Sequence, residues 1–127
     1  MKGGKSIQRM VAQVSILTLA VLALLMPSYA EARGGNDLTA TAAEDGVTVE
    51  WEAHAGPEIA RIDFYAEAVH DGTTEHFTQI VYGTGERRLS GVWTFGESLP
   101  PGTVVTIWML VHGRAPRAKV VSTTLTV

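Results

Sequence analysis

The chain has 127 residues with ten Arg and Lys against thirteen Asp and Glu, and it contains no cysteine. Disulfides, thiolate metal sites, thiol nucleophiles and a lipoprotein-type Cys anchor are thereby excluded. An acidic balance without a basic cluster argues against nucleic acid and anionic membrane as partners.

The first thirty residues read as a secretory signal peptide. Lys2, Lys5 and Arg9 make a basic start, and residues 11–26 are apolar apart from Gln13, Ser15 and Thr18. Ser28-Tyr29-Ala30 then puts small residues at the −3 and −1 positions, so cleavage is expected after Ala30. The apolar run is a few residues short of the ~20 that spanning requires, which favours cleavage over retention as an anchor. Removing Lys2, Lys5 and Arg9 leaves seven basic residues against thirteen acids, a net charge of −6 on the 97 residues from Glu31 to Val127. A chain of that size buries roughly two-thirds of the surface its unfolded form exposes, enough for one core. Export without cysteine suggests a bacterial protein of the periplasm, cell envelope or medium.

Residues 31–37 (Glu-Ala-Arg-Gly-Gly-Asn-Asp) are polar and Gly-rich, a flexible lead-in. From Leu38 onward the chain alternates. Leu38, Ala40 and Ala42 form the inward face of a first strand, and Glu44-Asp45-Gly46 follows as a turn, with Asp-Gly a favoured hairpin pair. The second strand sends Val47, Val49 and Trp51 inward and Thr48, Glu50 and Glu52 outward. Trp51 is read as core and not as a ligand platform. After the loop His54–Glu58, a third strand from Arg61 to Val69 turns Ile62, Phe64, Ala66 and Ala68 inward, leaving Arg61, Asp63, Tyr65 and Glu67 outside. Asp71-Gly72 reverses the chain into a fourth strand, Glu75 to Tyr82. A fifth strand lies within Arg88 to Phe95, with Trp93 and Phe95 its buried residues.

Leu99-Pro100-Pro101-Gly102-Thr103 is a tight turn, since Pro sets φ and Gly takes the positive φ that the reversal needs. It feeds a long strand apolar on both faces, with Val105, Ile107, Met109 and Val111 inward. His112 to Arg117 makes a basic loop in which Arg114 and Arg117 could meet a partner, although such pairs more often only solubilise a surface. Lys119 to Val127 closes the set as a seventh strand.

Two stretches resemble a known family. Leu99-Pro100-Pro101-Gly102-Thr103 before a strand is similar to the E–F corner of fibronectin type III domains, and Val47-Thr48-Val49-Glu50-Trp51 resembles their second strand, with its core Trp. The resemblance covers residues 38–127 and implies an all-β, seven-stranded antiparallel Greek-key β-sandwich of the fibronectin type III and immunoglobulin-like kind. One departure is visible. The family usually carries a Tyr shortly after the Pro-Gly-Thr turn, and Val104-Val105 stands there instead, so its tyrosine-corner hydrogen bond is not expected.

For chemistry, the one candidate cluster is His70-Asp71-Gly72-Thr73-Thr74-Glu75-His76. Metal ligands must converge, but an even-length turn makes opposed positions sum to an odd number. His70 and His76 then point to opposite sides of the sheet. Ser90, Ser98 and Ser122 sit in no nucleophile-elbow context, and no Gly-rich loop opens a helix to hold phosphate. Neither catalysis nor a cofactor is expected.

The same parity yields a positive expectation. Phe77, Gln79 and Val81 turn inward, and His76, Thr78, Ile80 and Tyr82 share the outer face with Tyr65. Trp108 and Leu110 join them from the neighbouring strand, and Val120 from the last one. Tyr65, Ile80, Tyr82, Trp108, Leu110 and Val120 thus form an apolar, aromatic sheet face, the kind of surface that marks interaction sites. A cation–π cover from Arg61 over Tyr82 or Trp108 would reduce it. The expected function is a non-catalytic binding or adhesion module for a protein partner or for a second copy. The alternative is a carbohydrate-binding module in which Trp108, Tyr65 and Tyr82 stack on sugar rings. A small secreted enzyme stands last, and no membrane insertion is expected after cleavage.

Overall fold

The computed structural model describes Ser28–Tyr29 and residues 35–127. The basic start and apolar run of the proposed signal peptide, Ala30 and residues 31–34 lie outside the described residues, whereas Ser28–Tyr29, just before the expected cleavage point, pair with Thr39 and Ala40. The strands are β1 (Ser28–Tyr29), β2 (Asp37–Ala43), β3 (Gly46–His54), β4 (Arg61–His70), β5 (Thr73–Tyr82), β6 (Arg88–Phe95), β7 (Val104–His112) and β8 (Lys119–Thr126). They form two antiparallel sheets, ordered β1-β2-β3-β6 and β5-β4-β7-β8, with β1 a two-residue addition to the first. All seven strands expected from the sequence are present, most of them longer by a residue or two.

Alternation decides which residues bind the sheets together. Leu38, Val47, Val49 and Trp51 from one sheet and Ile62, Phe64, Val105, Ile107, Met109 and Val111 from the other are buried in one core. A run of tilted aromatic contacts crosses it: Trp51 to Phe64 at 5.1 Å, Phe64 to Trp93 at 5.8 Å, Trp93 to Phe95 at 4.4 Å and Phe95 to Phe77 at 4.9 Å between ring centroids. Trp51 gains its space from Gly91, its partner across the ladder, where an added Cβ would fall 2.7 Å from the indole Cζ2.

Hairpins join neighbours within a sheet, and the longer connections 55–60, 83–87 and 96–103 cross between sheets. The first two crossings are tied to each other, with Ile59 N–H donating to Glu86 C=O (2.7 Å) and Ala55 N–H to Arg87 C=O (3.0 Å). The third contains the Pro-Pro-Gly turn. Gly102 has φ +88°, and Thr103 N–H donates to Pro100 C=O at 3.2 Å, closing the reversal. The buried Thr103 hydroxyl donates to the same carbonyl at 2.6 Å, anchoring a corner at which the family resemblance would have led one to look for a Tyr.

One turn differs from expectation. The β2–β3 hairpin pairs Ala43 with Gly46, so its loop is Glu44-Asp45 and not the Asp45-Gly46 pair. Gly46 instead opens β3 at φ +124°, in a spot where a Cβ would lie 2.4 Å from the Phe95 carbonyl oxygen.

Candidate functional site

Asp71 (φ 49°) and Gly72 (φ 75°) both take positive φ, as a two-residue hairpin turn of the I′ kind requires. The loop is therefore even, and the β4–β5 register pairs His70 with Thr73 and Arg61 with Tyr82. His70 and His76 accordingly stand on opposite faces. His70 Nδ1 lies 3.6 Å from Asp71 and His76 Nε2 lies 3.7 Å from Glu67, each with a different acid. Among the described residues no three His, Asp or Glu converge on a point.

The register arranges the outer face of the β5-β4-β7-β8 sheet in rows across the strands. One row runs Ile80, Asp63, Leu110, Val120, and the next runs Thr78, Tyr65, Trp108, Ser122. Beyond the first lies Tyr82, Arg61, His112, and beyond the second His76, Glu67, Thr106, Thr124. Tyr65, Ile80, Tyr82 and Val120 are 46%, 51%, 69% and 44% exposed, and Trp108 and Leu110 are half-buried among them. All six expected residues share this face. Around Tyr65 and Trp108 it sinks into an open depression of about 500 Å³, also lined by Glu67, His76, Thr78 and Leu110.

The six do not make one uniform surface. Tyr65 and Trp108 are direct neighbours across β4 and β7. Tyr82 lies two rows from Tyr65, four residues along the strands or roughly 13 Å at the usual rise. Between them sits Asp63, which the alternation of β4 places on the outer side. It faces outward, yet it is 8% exposed because Ile80 and Leu110 flank it and Arg61 and His112 cover it. His112 Nε2 and Asp63 Oδ2 are 2.9 Å apart in a hydrogen bond, and Arg61 Nε lies 3.0 Å from Oδ1 as an ion pair outside hydrogen-bonding alignment. Arg61 is thus engaged with Asp63, where a cation–π cover over an aromatic had been considered. His112 belongs to the end of β7 and not to the basic loop. A buried carboxylate requires partners of this kind; Arg61 has the parity of Asp63 on β4, but only the β4–β7 register brings His112 to it.

Of the basic loop, Arg114 lies 3.8 Å from Glu58 and Arg117 is exposed. At the same end of the sandwich, in the connection after β5, Glu86 accepts from both the amide (2.8 Å) and the hydroxyl (2.5 Å) of Thr84. These bonds, the hydroxyl's first, hold the Glu86 carboxyl below its ordinary value. Searches with the chain matched no protein-family model, no curated protein and no solved structure.

Proposed function

We propose that this chain is an exported, non-catalytic binding module that presents the outer face of its four-stranded sheet to a protein partner. The observation that carries the reading is the aromatic and aliphatic set on one sheet face, with Tyr65, Ile80, Tyr82 and Val120 exposed and Trp108 and Leu110 half-buried among them. Surfaces of this kind, with Trp and Tyr near the centre, supply most of the energy in protein interfaces. The buried Asp63, with Arg61 and His112, would give such an interface a polar fixed point beside its apolar area.

A fibronectin type III-like Greek-key sandwich is the architecture proposed to support it. Lettered in chain order A, B, C, C′, E, F, G, the strands β2 to β8 form the sheets A-B-E and C′-C-F-G, with F beside C. The Pro-Pro-Gly corner before β7 and the core Trp51 support the same reading. The proposed signal peptide would deliver the domain, cleaved after Ala30, to the periplasm, cell envelope or medium.

Sugar binding is the second reading, favoured by the adjacency of Tyr65 and Trp108 over the open depression. Tyr82 would then serve a separate subsite. The deciding experiment is capture from the cell envelope, run alongside a glycan array, with wild type, Trp108→Ser and Val92→Ser. A defined protein lost with Trp108→Ser and kept with Val92→Ser is the expected result. Glycan signal with the same dependence would select the second reading. Capture indifferent to Trp108→Ser would remove both.

A further inference from the structure

We infer that β5 pairs edge to edge with β5 of a second copy of this chain, across a two-fold axis at Thr78. Among the described residues, β5 is the outer strand of its sheet, with β4 on one side and no strand on the other. Its ladder to β4 runs unbroken from His70↔Thr73 to Arg61↔Tyr82, without a bulge. Natural edges are usually blunted by Pro, Lys, inward charges, bulges or short length. β5 has no Pro, Lys or bulge and is ten residues long; its one charge of inward parity, Glu75, lies near its start, and its last six residues, Phe77-Thr78-Gln79-Ile80-Val81-Tyr82, are uncharged and rich in β-formers. The other edges differ. β8 lies against β2, β1 is only two residues long, and β6 opens on Arg88 directly after Arg87.

The phase of the β4–β5 ladder identifies the groups left over. His70 and Thr73 flank a two-residue turn, and Gly83 N–H donates to Ala60 C=O at 3.0 Å, so the odd-numbered residues of β5 exchange bonds with β4. The N–H and C=O of Thr74, His76, Thr78, Ile80 and Tyr82 therefore point to the open edge. An antiparallel copy centred on Thr78 opposes Thr74 to Tyr82, His76 to Ile80, and Thr78 to itself. Every one of these residues then exchanges both bonds, whereas a slip by two residues leaves one unpaired. The charges are compatible as well. Glu75 meets Val81 and His76 meets Ile80, so no like charges oppose each other. The strand is self-complementary in backbone and charge, which is what an isologous contact requires. The inference does not rest on the proposed binding face, since it uses backbone groups at the edge.

The chain has no cysteine, so a single introduced thiol reports on itself alone. In the proposed pairing the two Thr78 Cα atoms lie about 5.5 Å apart, within disulfide range. Full-length Thr78→Cys under oxidising conditions should give a covalent dimer on a non-reducing gel, and Thr74→Cys and Thr124→Cys should not. Thr78→Pro deletes only an outward N–H, a change edge strands tolerate. It should raise the dissociation constant measured by sedimentation at least tenfold while the circular dichroism of β structure stays the same. Equal cross-linking at positions 74, 78 and 124, or association of Thr78→Pro indistinguishable from wild type, would overturn the pairing. So would a wild-type chain that stays monomeric at all concentrations while Thr78→Pro abolishes capture of another protein, which would assign the edge to a foreign strand. Trp108→Ser should leave the Thr78→Cys cross-link intact, separating this result from the fate of the binding face.

Discussion

The outer faces of the two sheets are built by the same alternation and carry opposite chemistry. On the β2-β3-β6 sheet the outward residues include Asp37, Thr39, Thr48, Glu50, Glu52, Ser90 and Thr94, with Val92 as an apolar exception. On the β5-β4-β7-β8 sheet they include Tyr65, Ile80, Tyr82, Leu110, Trp108 and Val120. Each face has an open depression of about 500 Å³, one lined by Asp37, Glu50 and Glu52 and the other by Tyr65, Trp108 and Leu110. Folding needs only the inner faces. The first sheet has the exterior that water asks of a strand, and the second carries apolar area that the core does not use. The contrast within one molecule is a better argument for a binding surface than exposure alone, because scattered outward apolar residues are ordinary.

Three substitutions test that contrast, from the largest effect downward. Trp51→Ser removes an inner-face indole that packs on Phe64 and should cost about 3–5 kcal/mol, unfolding the domain in a denaturant titration. Trp108→Ser should change stability by about 1 kcal/mol or less while weakening partner binding by about 2 kcal/mol or more. If it unfolds the chain as Trp51→Ser does, the face belongs to the fold and the contrast fails. Val92→Ser, at 60% exposure on the polar sheet, should stay within about 0.5 kcal/mol in both assays.

The smallest effect concerns pH. Because the folded Glu86 carboxyl titrates below its ordinary 4.5, its bonds to Thr84 stabilise the fold above that value. The contribution is lost as pH falls through the folded value. Glu86→Gln should therefore melt slightly lower than wild type at neutral pH, the difference closing in acid. A difference that grows as pH falls would contradict the assignment.

The strands were legible because parity is a local property. Once Asp71-Gly72 is read as a two-residue turn, the facing of every β4 and β5 residue follows, including the divergence of His70 and His76. The aromatic face followed from the same step, together with the placing of β7 beside β4. The burial of Asp63 did not follow, because it depends on Ile80 and Leu110 from two other strands and on His112, which composition assigned to a loop. The shift of the first hairpin to Glu44-Asp45 has a similar cause. Gly46 is needed where the chain passes the Phe95 carbonyl, far away in sequence, a demand no local pattern carries. The open edge of β5 likewise depends on sheet order and not on the strand's own residues.

The distribution of the three tryptophans has a practical consequence. Trp51 and Trp93 are both 8% exposed in the core, and Trp108 stands half-buried on the outer face. Intrinsic fluorescence from this chain is thus a sum of two sheltered emitters and one in contact with solvent. A soluble quencher such as acrylamide should extinguish the third selectively, on the red side of the emission band. A partner that covers the face should protect that same fraction and shift it to the blue, without altering the other two. Unfolding would instead move all three together toward the red. A single cuvette can therefore distinguish occupation of the surface from loss of the fold, with no label attached.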